Sequence, residues 1–108
     1  MNKYHVSYSD DALRDLRDIF EYIAFELKEP ATATAQVNRI RYSIRSLDTF
    51  PNRNKVVEWE PWLSRGVRQM PVDNFIAYYV PNDEDLSVHV IRIFYGKRDI
   101  PGIVKNDS

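Results

Sequence analysis

The last third of the chain carries cationic and phenolic side chains at the ends of predicted strands. Three runs predict these strands: residues 66–70, 74–80 and 88–94, of which the second and third are rich in β-branched and aromatic residues. Arg68 lies in the first run and Tyr79 in the second, while Tyr95, Lys97 and Arg98 lie at or just after the end of the third. Guanidinium and ammonium groups bind anions and a phenol can transfer a proton. These five residues are therefore candidates for binding or acid–base chemistry.

Composition limits this chemistry to groups that need neither a metal nor a thiol. The 108 residues include no cysteine, which excludes disulfides, thiolate zinc sites and a cysteine nucleophile. His5 and His89 are the only histidines and stand far apart in the sequence. We therefore expect no metal site and no cofactor.

The charge is nearly balanced overall but unevenly distributed. The net charge of −1 argues against a strongly basic nucleic-acid binder. Residues 31–71 nevertheless hold seven basic and three acidic side chains, which predicts a local basic surface. The sequence contains no apolar run near the roughly 20 residues that span a bilayer, and no signal-peptide pattern. We expect a cytoplasmic protein without a membrane partner.

The first half of the chain predicts one strand and two helices. Residues 3–8 alternate with strand periodicity, and Ser9 or Asp10 can cap a helix that continues to about Lys28. Pro30 suits the first turn of a second helix, which should stop near Thr49 because Pro51 cannot continue it. Each helix has one apolar stripe: Leu13, Leu16, Phe20, Ile23 and Leu27 in the first, and Ala33, Val37, Ile40, Ile44 and Leu47 in the second.

These elements predict an α+β fold. An N-terminal strand precedes an antiparallel helical hairpin, which packs on a small, mostly antiparallel sheet. Residues 81–85 form a polar turn in this scheme, and residues 51–65 form an ordered loop. Trp59 and Trp62 in this loop are interpreted as its partly buried support, with a stacking or partner surface as the alternative. We predict a single domain over residues 1–104 and a disordered tail over residues 105–108.

The order of these elements, with residues 47–51 closing the hairpin, resembles the RelE/ParE superfamily of bacterial type II toxins. Four blocks carry the resemblance: residues 22–24, Arg68, residues 75–79 and residues 91–99. The resemblance implies a growth-arresting toxin that a cognate antitoxin holds inactive. It also implies one of two targets, DNA gyrase or messenger RNA bound to the ribosome, and the second of these is cleaved without a metal.

Metal-free cleavage of RNA needs a base, an acid and cations that stabilise the developing phosphorane charge. On the nuclease interpretation, Arg68, Tyr95 and Arg98 are the catalytic candidates, and Lys97, Arg65 and Tyr79 are the substrate-binding candidates. Each also has a structural interpretation, as an exposed strand arginine, a packed tyrosine or an ordinary cationic surface. Tyr78 and Tyr79 must point to opposite faces of a regular strand, so at most one of them should face a site.

Two departures from the nuclease pattern favour the gyrase interpretation. Many ribosome-dependent members of the superfamily have an arginine in the middle strand, where this chain has Asn74, Phe75 and Ile76. Many are also strongly basic, as a ribosome ligand should be. A third possibility is a noncatalytic binding module or an inactive toxin that only forms an antitoxin complex. In each case the antitoxin is expected to lay an amphipathic segment beside the hairpin or sheet, near Arg39, Arg41 and Arg45.

Overall fold

The computed structural model describes residues 3–107. Seven helices and strands follow in the order β1 His5–Tyr8, α1 Asp10–Glu21, α2 Pro30–Arg45, β2 Arg68–Val72, β3 Phe75–Asn82, β4 Ser87–Tyr95 and α3 Ile100–Asp107. The N-terminal strand, the two-helix hairpin and the mostly antiparallel sheet confirm the predicted α+β fold. No helix in the described part of the chain is long and apolar enough to cross a membrane.

The ends of the hairpin follow the signals in the sequence. The Ser9 hydroxyl accepts a hydrogen bond from the Ala12 amide at 2.9 Å and caps α1. A π-helical turn, Tyr22–Glu26, extends α1, and Pro30 occupies the first turn of α2. A short 3₁₀ turn, Ser46–Asp48, ends α2 just before Pro51. Both predicted helix starts are therefore confirmed.

The apolar stripe of the first helix differs from the prediction at both ends. Leu13 and Leu27 are 46% and 52% exposed, whereas Ala12 and Ala24 are buried. The wider π turn rotates the last residues of the helix, so the consecutive residues Ile23 and Ala24 both reach the cluster that they form with Ala33 of α2. A strict helical spacing could not predict this rotation.

The sheet has the strand order β1-β4-β3-β2, and β1 runs parallel to β4 while the other pairs are antiparallel. β3 continues through Asn82, two residues into the predicted polar turn. A bulge shifts the register of β3 against β4 between Tyr78 and Tyr79. Where β1 stops, the Ser9 hydroxyl donates to the Ile91 carbonyl, and the Asp15 carboxylate accepts the Ile93 amide. Side chains of the helix region therefore complete the edge of β4.

Both faces of the sheet are covered. The hairpin packs on one face, in a core that includes Leu16, Ile40 and Tyr79. Residues 57–67 and α3 pack on the other face, in a second core that includes Trp62, Tyr78 and Ile100. Because both faces are covered, neighbouring residues on a strand can both be buried, although their side chains point in opposite directions.

The helix α3 runs through residues 105–107, where the sequence analysis predicts a disordered tail; Ser108 lies outside the described residues. Ile100 and Val104 are buried against the second core and fix the helix in place. The Asp99 carboxylate accepts the Gly102 amide, and a side chain at Gly102 would collide with that carboxylate. The helix is hard to recognise in the sequence because it is short and Gly102 has a poor helix propensity, although Pro101 suits its first turn.

Candidate functional site

The candidate residues lie at two opposite ends of the sheet. Arg68 pairs with Tyr79, which pairs with Val90, whereas Tyr95 lies five positions further along β4. At the usual rise per strand residue this separation is roughly 16 Å along the strand alone. We call the end with Arg68 the loop end, since residues 49–54 pack there, and the end with Tyr95 the tip end, since the tip of the hairpin lies there. One phosphate could not contact both.

At the loop end Arg68 is a structural residue. Its side chain is partly buried, and Nη1 donates a hydrogen bond to the Asn54 carbonyl oxygen at 2.6 Å. The backbone of Arg68 also forms a bridge with Val56. The guanidinium therefore holds the loop against the first residue of β2, which leaves it poorly placed to clamp a phosphate.

Tyr79, a predicted substrate-binding residue, lies in the core. The side chain is 0% exposed. The hydroxyl donates to the Pro51 carbonyl at 2.5 Å and accepts from the Asn54 amide nitrogen at 3.0 Å. Burial raises the pKa of the phenol, while the hydrogen bond from Asn54 and the charge of Arg68 oppose that rise. The phenol is thus neutral and fully bonded inside the protein.

Three further side chains complete the loop end, and sequence reasoning did not find them. The Tyr4 hydroxyl donates to the Asp83 carboxylate at 2.7 Å, and the Asn52 amide donates to the same carboxylate at 3.2 Å. The hydrogen bond from Tyr4 lowers the pKa of Asp83 most, and the bond from Asn52 lowers it further. Tyr4 and Asp83 are 79 positions apart, so no local pattern could have signalled their contact.

Three of the predicted residues lie at the tip end. Tyr95 is 40% exposed, and its ring meets that of Phe75 edge to face at a centroid distance of 5.8 Å. The exposed Lys97 and Arg98 follow in the turn after β4, where the Arg98 amide donates to the Tyr95 carbonyl. The Arg98 guanidinium lies 5.7 Å from the ring centroid of Phe94. A phenol and two cations are therefore close in the chain at this end, without Arg68.

Arg65 lies apart from the other candidates in a groove of about 360 Å³. The groove is also lined by Trp62, His89 and Arg92. Nδ1 of His89 lies 3.0 Å from the Ser7 hydroxyl, and the Arg92 guanidinium binds the Asp15 carboxylate at 2.9 Å and 3.1 Å. His89 and Arg92 thus have partners on neighbouring elements.

Aromatic rings fill the space between the loop and α3 on the second face. The rings of Trp59 and Trp62 stack at 4.9 Å, and Trp62 lies 4.7 Å from Tyr78. Trp62 is only 3% exposed, which supports its structural interpretation. Burial raises the pKa of Tyr78 to about 12, so its phenol cannot serve as a base near neutral pH.

Residues 3–107 also contain no cluster of three or more His, Asp or Glu side chains that could hold a metal ion.

Comparisons with known proteins agree with this fold. The family model of the ParE toxin of the type II toxin–antitoxin system parDE matches residues 6–100. No match to a curated protein was found. Among solved structures, the chromosomal ParDE system from P. aeruginosa is similar, with a TM-score of 0.70 and 21% identity over 86% of this chain and 96% of that one.

Two RelE structures share the same fold at low identity. The toxin–antitoxin complex RelBE2 from Mycobacterium tuberculosis has a TM-score of 0.61 and 20% identity, over 86% of this chain and 98% of that one. A free mutant of the E. coli toxin RelE has a TM-score of 0.65 and 14% identity, over 96% of this chain and 97% of that one. Because the family model covers most of the chain, this protein belongs to the ParE toxin family of type II toxin–antitoxin systems.

Proposed function

We propose that this protein arrests growth by binding DNA gyrase, that it does not cleave RNA, and that a cognate antitoxin neutralises it. One observation carries the proposal: the cationic and phenolic groups that a nuclease would need do not converge on one point. Arg68 and Tyr79 belong to the loop end, and Tyr95 and Arg98 belong to the tip end.

The chemistry of RNA cleavage explains why this separation matters. A base must take the 2′-hydroxyl proton, an acid must protonate the leaving oxygen, and a cation must stabilise the phosphorane, all around one phosphate. At the tip end Arg98 could supply the cation and Tyr95 the acid. A phenol is protonated at neutral pH and is a poor base, and His89 lies six positions back along β4. Neither of these residues therefore supplies a base at the tip end.

Gyrase inhibition by binding makes no such demand. Protein contacts depend on exposed surface and charge complementarity, and the side chains need not act on a substrate. The net charge of −1 and the apolar residue Phe75 in the middle strand also suit a protein partner better than ribosomal RNA. These features favour gyrase over messenger RNA as the target.

Ribosome-dependent cleavage is the second candidate function because of the group Tyr95, Lys97 and Arg98. These residues are exposed and close together in the chain after β4. Phosphate contacts from two cations beside a phenol would suit an RNA backbone. The experiment below separates this candidate from gyrase binding.

The groove between α2 and β2 is a suitable binding site for the antitoxin. This groove measures about 580 Å³ and is lined by Asn38, Arg39, Tyr42, Ser43, Val72 and Asp73. Tyr42 is 72% exposed, so an apolar side chain of the antitoxin can cover its ring. The Arg39 guanidinium binds the Asp73 carboxylate at 2.8 Å, which leaves Arg41 and Arg45 of α2 as better partners for antitoxin acids. The solved ParDE and RelBE complexes make an antitoxin partner for this chain a natural expectation.

Pulse-labelling after induced expression in a bacterial host tests the proposal. We expect thymidine incorporation to stop first, while amino-acid incorporation continues over the first minutes. Purified toxin should also inhibit supercoiling by purified gyrase. A double variant, Tyr95→Phe with Arg98→Ala, should arrest growth as the wild type does. An immediate block of amino-acid incorporation that this variant abolishes would overturn the proposal in favour of RNA cleavage.

A further inference from the structure

The tip of the helical hairpin has two exposed aromatic rings. Tyr22 is 57% exposed and Phe25 is 68% exposed, and both belong to the π turn that ends the first helix. The two buried residues Ile23 and Ala24 separate them in the sequence. Ile23 and Ala24 both face Ala33, so Tyr22 and Phe25 lie on the exposed side of the turn.

The core does not account for these rings. The cluster beneath the turn consists of Ile23, Ala24 and Ala33, with Ile19, Phe20 and Phe75 packed against it. Leu27, 52% exposed, extends the apolar surface to the joint of the hairpin. Adjacent apolar side chains on a monomer surface commonly mark an interaction site, and π turns within helices frequently occur at functional sites.

The segment that carries the two rings is acidic. Residues 17–29 contain four acids and two bases, which leaves this segment at −2 (4 acidic − 2 basic). Glu21 lies 3.7 Å from Arg17, whereas Asp18 and Glu26 form no ion pair with any residue of the described chain. Opposite charges around an apolar contact steer two proteins together and exclude partners of the wrong sign. The surface therefore fits a partner whose apolar pocket is rimmed by Lys and Arg.

We propose that the hairpin tip, meaning Tyr22, Phe25 and the acids around them, is the surface through which the toxin docks on its target protein. The two rings fill an apolar pocket of the target, and Asp18 and Glu26 meet basic side chains at its rim. The identity of this target, DNA gyrase, rests on the proposed function. The antitoxin occupies instead the groove between α2 and β2, beside the basic residues Arg41 and Arg45, so the two partners use surfaces of opposite charge.

A double variant, Tyr22→Ser with Phe25→Ser, tests this inference. We expect its affinity for purified gyrase to fall by roughly tenfold or more, as truncation of aromatic anchors commonly does. Growth arrest should be lost, while the variant should still fold and bind its cognate antitoxin. The matched control is Phe50→Asn, which removes a 63% exposed aromatic ring from the loop end and should leave growth arrest and gyrase binding unchanged.

Charge reversal gives a second measurement on the same surface. Asp18→Lys with Glu26→Lys should slow association with gyrase, and the wild-type association rate should fall more steeply with added salt than that of the variant. The matched control is Glu84→Lys, in the turn between β3 and β4.

The outcomes separate this inference from the proposed function. If the ring variant arrests growth like the wild type, or loses the antitoxin instead, the tip is not the target surface. If the variant abolishes arrest but wild-type toxin leaves gyrase unaffected, the docking surface stands and gyrase is the wrong target. A wild-type chain that arrests no growth would overturn both.

Discussion

The two ends of the sheet use similar side chains in opposite ways. At the loop end Tyr4, Tyr79 and Arg68 bind carbonyl, amide and carboxylate groups of the protein itself. At the tip end Tyr22, Phe25 and Tyr95 keep much of their surface in solvent. A phenol or guanidinium is therefore no sign of a site until its partners are known. The loop end stabilises the fold, and the tip end is free to bind.

Truncation of one tyrosine at each end should give the largest contrast. We expect Tyr79→Ala to lower the free energy of unfolding by about 3–5 kcal/mol, because it empties a fully buried site. Tyr95→Ala should cost about 1 kcal/mol, since it removes mainly an edge contact with Phe75. Urea unfolding of both variants measures the difference. Equal losses would mean that the two ends do not differ in this way.

Removal of the Tyr79 hydroxyl alone sharpens the comparison. Tyr79→Phe leaves the Pro51 carbonyl and the Asn54 amide without their buried partner, so we expect a loss of about 1–3 kcal/mol. Tyr42→Phe is the control, because that tyrosine is 72% exposed and should change stability by less than about 0.5 kcal/mol. A neutral Tyr79→Phe variant would show that the hydroxyl does not tie the loop to β3.

Relief of backbone strain at the loop end should stabilise the protein. Phe50 has φ 50° and ψ 55°, a left-handed conformation that a bulky residue adopts at a cost. Asn tolerates this conformation, so Phe50→Asn should raise the free energy of unfolding by about 1 kcal/mol. Thermal unfolding checks this prediction. Tyr42→Asn, in regular helix, should lower the melting temperature instead, and a fall for Phe50→Asn would contradict the account of strain.

The smallest expected effect is a pH dependence from Asp83. Its pKa is lowered in the folded protein from the usual 3.8 by the bonds from Tyr4 and Asn52. Its stabilising contribution is therefore present above pH 3.8 and is lost as the pH falls through the lower folded value. Asp83→Asn should lose less stability than the wild type between pH 5 and pH 2. Identical acid unfolding curves would exclude Asp83 as a contributor.

Local signals in the sequence predicted most of the fold. Ser9, Pro30 and Pro51 set the ends of the hairpin, and the β-branched runs gave the later strands. The sequence does not predict α3, because the packing of Ile100 and Val104 compensates for the poor helix propensity of Gly102. The π turn was missed because its spacing is not that of a regular helix.

The candidate site was harder to predict than the fold. Strand runs place Arg68 and Tyr95 on the same sheet, but only the register shows that they lie at opposite ends. The side chains of Tyr78 and Tyr79 point to opposite faces of the sheet, as the alternation predicts. Because both faces are covered, both residues are buried. Tyr22 stood within a recognised block, but its exposure depends on the π turn. Residue types alone therefore do not identify a site, because its geometry depends on pairing between residues that are distant in the sequence.

The parallel pairing of β1 with β4 has a consequence for the timing of folding. His5 pairs with Ser87 and Tyr8 pairs with Val90, so β1 cannot join the sheet until β4 has been synthesised. Closing so long a loop is slow, because its entropy is lost before any contact compensates. A growing chain can form the hairpin early, but it cannot complete the sheet until β4 has been translated. The sheet is therefore finished only after the helical hairpin and the two intervening strands have been synthesised.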